Sequence, residues 1–271
     1  MSIRDKASGL LQGEVDGVLG YRRTEGSCLP HLFTGTEIGE MAADPPPGAR
    51  YPLAAIAVRL LKGNRDFRLA VVVRGCDERM LLELQKQGQV DGNRLVMLGL
   101  ACTAELAAAC NCRDPYPSGV DQEERAVMPP GDKAFPGNDH PAGGSSAERL
   151  DFWSGQFGAC LKCMGCRNIC PLCYCTECAL DSVELVAHGR VPPAYPVFHL
   201  IRALDMAGRC VECGLCEEAC PAGIPLRMLY RAGARAVEEN FNYRPGFSLD
   251  EQNPLAGLGE GHEHGTEGNL G

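Results

Sequence analysis

Two stretches of the chain carry the same pattern of cysteines, CLKCMGCRNICP at residues 160–171 and CVECGLCEEACP at residues 210–221. Both follow the spacing CxxCxxCxxxCP, which is typical of ferredoxins that hold two 4Fe4S clusters. In such a run three closely spaced thiolates bind three irons of one cubane, and the fourth cysteine, placed before proline, reaches the neighbouring cluster. Two copies in one short region therefore predict a ferredoxin-type domain with crossed ligation.

The crossed arrangement assigns four cysteines to each of two 4Fe4S clusters. Cluster one is predicted to take Cys160, Cys163, Cys166 and Cys220. Cluster two is predicted to take Cys210, Cys213, Cys216 and Cys170. No acid, base or nucleophile set accompanies the two motifs, so we expect the clusters to conduct electrons and not to catalyse a reaction.

Zinc binding is the main alternative for these eight cysteines. Paired CxxC units also build tetrahedral zinc sites from four thiolates, and the chain would then be a zinc-binding interaction module. A zinc site has no use for the CxxxCP extension, and buried inert thiols would not recur twice at identical intervals. Iron-sulfur clusters are therefore the favoured interpretation.

Composition and charge limit the classes of protein to which the chain can belong. The chain has 16 cysteines among 271 residues and a net charge of −9. Its first ten residues lack the apolar run of a signal peptide, and nowhere do about 18 apolar residues follow one another as in a membrane span. We therefore expect a cytoplasmic protein without direct membrane insertion, where dense cysteines bind metal rather than form disulfides. Nucleic acid is not an expected partner, because binding to phosphates requires clustered Lys and Arg.

The part of the chain before the motifs alternates between strand-like and helix-like segments. Three apolar runs predict buried strands, at residues 15–21, 69–73 and 95–100. Two amphipathic segments, 52–63 and 77–88, predict the helices between them. This alternation predicts an α/β domain.

The later part of the chain is predicted to be mostly α-helical. Helical character appears around residues 182–188, at 197–207 and from 225 to about 240, whereas residues 115–146 are rich in Pro, Gly, Asp and Ser. Together these features predict four regions. They are an α/β domain at 13–115, a linker at 116–150, a two-cluster ferredoxin domain at 151–247 and a flexible tail at 248–271.

A family resemblance rests on the motif region. The sequence CLKCMGCRNICPLCYCTECAL at residues 160–180, with GRCVECGLCEEACPAGIPL at 208–226 and FNYRPG at 241–246, resembles the coenzyme F-420 hydrogenase/dehydrogenase beta-subunit family. Within that family it looks like formate dehydrogenase beta subunits with a shortened middle region. The N-terminal stretches at 74–102 and 109–117 also look like that family.

The resemblance implies a third 4Fe4S cluster, which family members hold beside a flavin. Carried over position by position, its ligands are Cys76, Cys102, Cys110 and Cys112. The family's CxxC is shortened to CxC here. Read from the residues alone, thiols after predicted strands also suit a cluster, because α/β sites form beyond the carboxyl ends of strands. Buried packing cysteines are the alternative. Four cysteines stay without an assigned role: Cys28, Cys173, Cys175 and Cys178.

These observations predict an iron-sulfur electron-transfer subunit of an oxidoreductase complex. By resemblance, its partner is a larger redox enzyme, namely a formate dehydrogenase, a hydrogenase or a heterodisulfide-reductase-like flavoprotein. The alternative is a flavin-containing subunit that reacts with a deazaflavin or nicotinamide coenzyme. Full-length relatives have a large region that helps form the flavin pocket, whereas only residues 118–149 remain here, so we expect little or no FAD. Phe152 and Trp153 are expected to pack under the ferredoxin domain.

Overall fold

The N-terminal part of the protein is built on a four-stranded sheet with the strand order β2-β1-β3-β4. The strands are β1 (Gly17–Thr24), β2 (Ser27–Phe33), β3 (Leu69–Val73) and β4 (Leu95–Gly99). β1 pairs antiparallel with β2 and parallel with β3, and β3 pairs parallel with β4. The structure is a computed structural model, and it describes residues 2–46, 48–120, 144–187, 189–193 and 196–256.

Nine α-helices lie within the described residues. Four belong to the N-terminal part: α1 (Ile3–Leu10), α2 (Leu53–Gly63), α3 (Gly75–Lys86) and α4 (Ala104–Ala109). Five belong to the C-terminal part: α5 (Ser146–Gly158), α6 (Gly165–Asn168), α7 (Val197–Met206), α8 (Leu215–Glu218) and α9 (Leu226–Phe241). Short 3-10 helices occupy Gly35–Glu40, Gly92–Arg94 and Ala179–Asp181. The predicted mixed α/β content is thereby confirmed.

The two faces of the sheet are covered by different helices. Side chains along a strand alternate between faces. Accordingly, Val18 and Val72 pack with Ala7 of α1 on one face, whereas Leu19 and Val71 join the core under α2 and α3 on the other. The buried pattern explains why β3, with all five residues buried, reads as a continuous apolar run in the sequence.

The C-terminal part packs onto the second of these faces. Leu172, Val211 and Ile224 lie in the same continuous hydrophobic core as Leu53 and Leu84 of the N-terminal part. The two halves of the chain therefore share one core, which brings the cysteines of both into the same region. None of the helices that the structure describes has both the length and the apolar character of a membrane span.

Several predicted elements are observed with shifted ends. The strand predicted at 69–73 matches β3, and the helices predicted at 52–63 and 77–88 correspond to α2 and α3. α7 and α9 match the helices predicted at 197–207 and from 225 onward. β2 was not predicted, because its sequence SCLPHLF contains a proline and does not alternate cleanly.

The prediction of a helix around 182–188 is wrong for the described residues 182–187, which form turns. Val183 and Leu185 are exposed there, and only Val186 is buried. Without an apolar face to bury, so short a segment does not offset the cost of helix nucleation.

Two other predicted regions are only partly described. The predicted linker at 116–150 includes residues 121–143, which lie outside the described residues, and its last part already belongs to α5. The predicted tail lies outside them from residue 257 onward. Its first part contacts the protein, since Lys86 Nζ donates to the Glu251 carbonyl at 3.2 Å and Asn253 is buried.

Candidate metal centres

The two cysteine motifs fold in the same way. The residue two positions after the first cysteine has a left-handed backbone in both copies, with φ of 51° at Lys162 and 59° at Glu212. The residue after the second cysteine is also left-handed, with φ of 60° at Met164 and 80° at Gly214. A short helix then begins at once, α6 in the first motif and α8 in the second.

This backbone turns amide groups toward the thiols. The amide of Lys162 donates to Cys160 Sγ at 3.4 Å, and that of Glu212 donates to Cys210 Sγ at the same distance. The amide of Gly165 lies 3.5 Å from Cys163 Sγ. Successive N–H groups in such turns form concavities that bind anions, and many iron-sulfur sites use them. The motifs are thus preformed to stabilise negatively charged sulfur.

The fourth cysteine of the first motif lies with the second motif. One cavity is lined by all four predicted cluster-two cysteines: Cys170, Cys210, Cys213 and Cys216. The remainder of its wall is mostly apolar and includes Met80, Leu172 and Leu215. The predicted ligands of cluster two therefore surround one enclosed, largely apolar space.

The predicted ligands of cluster one are also near one another. Burial raises the pKa of the Cys166 thiol, and Arg202 lowers it. Three neighbouring thiols raise it further: Cys160, Cys163 and Cys220. Cys220 reaches this group because α6 packs against α8, and a Cβ atom at Gly165 would lie only 2.9 Å from the carbonyl oxygen of Ala219. A glycine at the start of α6 permits that approach.

The four N-terminal cysteines meet at the carboxyl edge of the parallel strands. Cys76 follows β3, Cys102 follows β4, and the short helix α4 brings Cys110 and Cys112 back to the same edge. All four line one cavity. Burial raises the pKa of Cys76 well above that of a free thiol. The shortened CxC spacing still brings both of its thiols to this cavity.

Known proteins show a partial similarity to this chain. The F420-dependent formate dehydrogenase subunit beta of Methanocaldococcus jannaschii is 37% identical over 97 residues, which are 36% of this chain and 26% of that subunit. The F420-dependent formate dehydrogenase 1 subunit beta of Methanococcus maripaludis is 39% identical over 107 residues, which are 40% of this chain and 27% of that subunit.

The chain is similar to formate dehydrogenase beta subunits. The resemblance predicted from the motifs is thereby confirmed over the matched part of the chain. The matches cover about a quarter of the length of these relatives. No family model matches the chain.

Cys213 connects the two cysteine-lined cavities. It lines the cavity of the second motif and also that of the N-terminal cysteines. Arg50 donates a hydrogen bond to the Cys213 carbonyl and pairs with Glu218, and Arg227 donates to the carbonyl of Cys110. These arginines hold the N-terminal cysteine loop against the second motif.

Arg202 lies between the two motifs. Its Nη1 donates to Cys173 Sγ, its Nη2 donates to the Cys166 carbonyl at 3.3 Å, and it lines the cavity of the second motif. Its Nε atom is buried and has no hydrogen-bond partner among the described residues. No spacing rule in the sequence marks Arg50, Arg202 or Arg227, so sequence reasoning missed all three.

The remaining four cysteines do not line these two cavities. Cys28 is buried in β2 as part of the core. Cys173, Cys175 and Cys178 line an open cleft on the surface. Trp153 is stacked on Phe157, with ring centroids 5.2 Å apart, and contacts the shared core.

The described thiols do not form a site for a single ion. No group of three or more His, Cys, Asp or Glu side chains in the described part of the chain is arranged around one metal position. A zinc ion requires thiolate sulfurs at about 2.3 Å from one point, whereas the thiolates of a cubane bind separate irons.

Proposed function

We propose that this chain is an electron-transfer subunit of an oxidoreductase and conducts electrons through 4Fe4S clusters. The observation that carries the proposal is the position of Cys170, which leaves its own motif and lines the cavity of Cys210, Cys213 and Cys216. This exchange is what crossed ligation of two cubanes requires. A pair of independent zinc sites would not need it.

The residues around the motifs suit clusters. Cys160, Cys163, Cys166 and Cys220 would hold cluster one, and Cys210, Cys213, Cys216 and Cys170 would hold cluster two. Backbone amides donate to the thiols of both motifs, and the buried Nε of Arg202 supplies a further donor beside the second cavity. When bound, a 4Fe4S cluster accepts and releases single electrons at a potential set by hydrogen bonds, charge and exposure.

A third cluster is proposed at the edge of the sheet, held by Cys76, Cys102, Cys110 and Cys112. Because Cys213 lines both this cavity and the second one, and Cys170 links the second to the first motif, cluster two would neighbour both other clusters. An electron would then pass between the N-terminal cluster and cluster one by way of cluster two.

A conducting subunit needs a donor and an acceptor. The relatives bear the name of formate dehydrogenase beta subunits, and we therefore propose a catalytic dehydrogenase subunit as the first partner. A hydrogenase or a heterodisulfide-reductase-like flavoprotein would serve in the same way. The second partner is a further redox protein, and little or no FAD is expected on this chain itself.

The test is the crossed assignment of Cys170. We expect Cys170→Ser and Cys213→Ser to weaken the same cluster signal in electron paramagnetic resonance of the anaerobically purified, reconstituted protein. Cys175→Ser, which removes a thiol outside both motifs, is the matched control and should leave iron, sulfide and both signals unchanged.

Three outcomes count against the proposal. If Cys170→Ser removes the same cluster signal as Cys160→Ser, each motif binds its own metal centre without crossed ligands. Zinc in place of iron and sulfide would support the interaction module instead. Stoichiometric FAD in the iron-replete chain would favour the flavin-containing alternative.

A further inference from the structure

A wide cleft on the surface contains the cysteines that the proposed clusters do not use. It has a volume of about 400 Å³ and lies between α2, the loop after the first motif and α7. Cys173, Cys175 and Cys178 line it, and Cys175 and Thr176 are exposed. The cleft is thus open to solvent and does not enclose a small ligand on all sides, unlike most cofactor pockets.

The charge of this cleft is opposite to that of the whole chain. Four arginines line it, Arg59, Arg167, Arg202 and Arg209, together with two aspartates, Asp181 and Asp205. We call this the basic cleft. Its lining therefore has a surplus of positive charge, although the chain has a net charge of −9.

Two of the four guanidinium groups are available to an acidic surface. Arg167 is neutralised by Asp181, whose carboxylate oxygens lie 2.7 and 2.9 Å from its Nη1 atom. Arg59 is exposed on α2, and Arg209 lies over the ring of Tyr174 at 5.9 Å. Neither Arg59 nor Arg209 pairs with a carboxylate among the residues that the structure describes.

The floor of the basic cleft reaches the proposed clusters. The amide of Cys173 donates to the carbonyl of Cys170, a proposed ligand of cluster two, at 3.1 Å. Arg202 donates to Cys173 Sγ and to the carbonyl of Cys166, a proposed ligand of cluster one. A redox centre seated over this cleft would be separated from the middle of the relay by only one layer of side chains.

We propose that the basic cleft is the docking site of a small acidic electron-carrier protein of the ferredoxin class. This inference rests on the proposed function, because it assumes that the clusters conduct. In the step, one electron leaves the reduced carrier and enters cluster two, so the carrier is oxidised by one electron and the cluster is reduced by one. No bond or proton is exchanged, and charge complementarity steers the encounter.

The experiment measures binding of an acidic plant-type 2Fe2S ferredoxin to the iron-replete protein by isothermal titration calorimetry. We expect the affinity to fall with rising ionic strength, because exposed charges are screened. Arg59→Glu combined with Arg209→Glu should weaken binding by at least about tenfold. Arg59→Glu alone, remote from the cysteine motifs, should act in the same direction.

The matched control changes the same amount of charge outside the cleft. Arg23→Glu with Arg65→Glu, both exposed, should leave the affinity within about twofold. Equal loss in both double variants, or no binding by the iron-replete wild type, would overturn the docking site. Binding of inorganic phosphate that competes fully with ferredoxin would support the cleft as the contact, whereas ferredoxin binding unaffected by the cleft variants would refute it.

Cluster content separates this test from that of the proposed function. Iron, sulfide and the extent of reduction by methyl viologen radical, a cation that needs no basic surface, are measured on each variant first. A wild-type protein without iron-sulfur clusters refutes the relay itself. An iron-replete, fully reducible protein that does not bind ferredoxin refutes only the docking site.

Discussion

Single residues decide how closely the two motifs approach each other. Gly165 begins α6 at the point where the first motif meets the end of the second, and its missing side chain leaves room for the backbone at Ala219. The crossed arrangement depends on this contact, because Cys220 follows Ala219 directly. Lys162 and Glu212 are further single residues of this kind, since their left-handed backbones turn amides toward sulfur.

Gly165→Ala tests this contact. Its Cβ would lie 2.9 Å from the Ala219 carbonyl oxygen, a backbone atom that cannot rotate away. We expect a loss of about 1–3 kcal/mol in the free energy of unfolding, typical of overpacking, and preferential loss of cluster one. Anaerobic denaturant unfolding and electron paramagnetic resonance measure the two effects.

A glycine in another helix provides the control. Gly155 in α5 is exposed, and a Cβ there would meet nothing within 4 Å. Gly155→Ala should be neutral or stabilise the protein by up to about 1 kcal/mol, because alanine favours the helix. Equal behaviour of the two variants would show that the approach at Gly165 is not tight.

At the scale of elements, α3 packs against the N-terminal sheet and also holds the segment that follows α9. It begins beside Cys76, and Glu83 near its other end is fully buried. Glu83 pairs with Lys86 at 2.8 Å and accepts a hydrogen bond from the Gly246 amide at 3.1 Å. The Tyr243 hydroxyl lies 3.3 Å from the same carboxylate. One helix thus fixes the segment that follows α9.

Glu83→Ala removes the acceptor of this network. Lys86, whose side chain is also buried, then has no carboxylate partner among the described residues and keeps only neutral acceptors, the Tyr243 hydroxyl and the Glu251 carbonyl. The Gly246 amide loses its acceptor. We expect a loss of about 3–5 kcal/mol in the free energy of unfolding, the range for breaking a buried ion pair. Chemical denaturation followed by circular dichroism measures it.

An exposed glutamate distinguishes this effect from a loss of charge alone. Glu25, in the turn between β1 and β2, is exposed, so Glu25→Ala should change the free energy of unfolding by less than about 0.5 kcal/mol. A similar small change for Glu83→Ala would mean that the network does not hold the C-terminal segment.

At the scale of the whole molecule, packing brings the groups of cysteines next to each other, since Cys213 lines both the N-terminal cavity and the second one, which Cys170 of the first motif also lines. The N-terminal group comes from the sheet edge, and the other two come from the interlocked motifs. Since each proposed cluster has its own set of ligands, removing one set should leave the other clusters in place.

Cys76→Ser combined with Cys112→Ser tests the proposed third cluster. We expect iron to fall from about twelve to about eight atoms per chain, because one four-iron cluster is lost while the crossed pair remains. Iron and sulfide analysis measures the change. Cys175→Ser removes an exposed thiol outside the ligand sets and serves as the control. Iron that stays near eight atoms in both wild type and variant would show that the N-terminal thiols hold no cluster.

The sequence by itself determined the local features of this protein. The intervals between cysteines predict crossed ligands, because they set which thiols share one turn of backbone. The apolar run at residues 69–73 predicts β3, because a buried strand needs apolar residues on both faces. Cys76 follows β3 and Cys102 follows β4, so parallel pairing of these strands places both thiols at the same edge of the sheet. Such features depend on residues close together in the chain.

Only the tertiary structure decided which of these local units meet. Three examples join residues that are far apart in sequence. Cys213 lines two cavities, and Arg50 donates a hydrogen bond to its carbonyl. Arg59, Arg167 and Arg209 line one cleft. No periodicity or spacing encodes them. They follow from packing of the C-terminal helices onto one face of the sheet, where burial of the shared core selects a single arrangement.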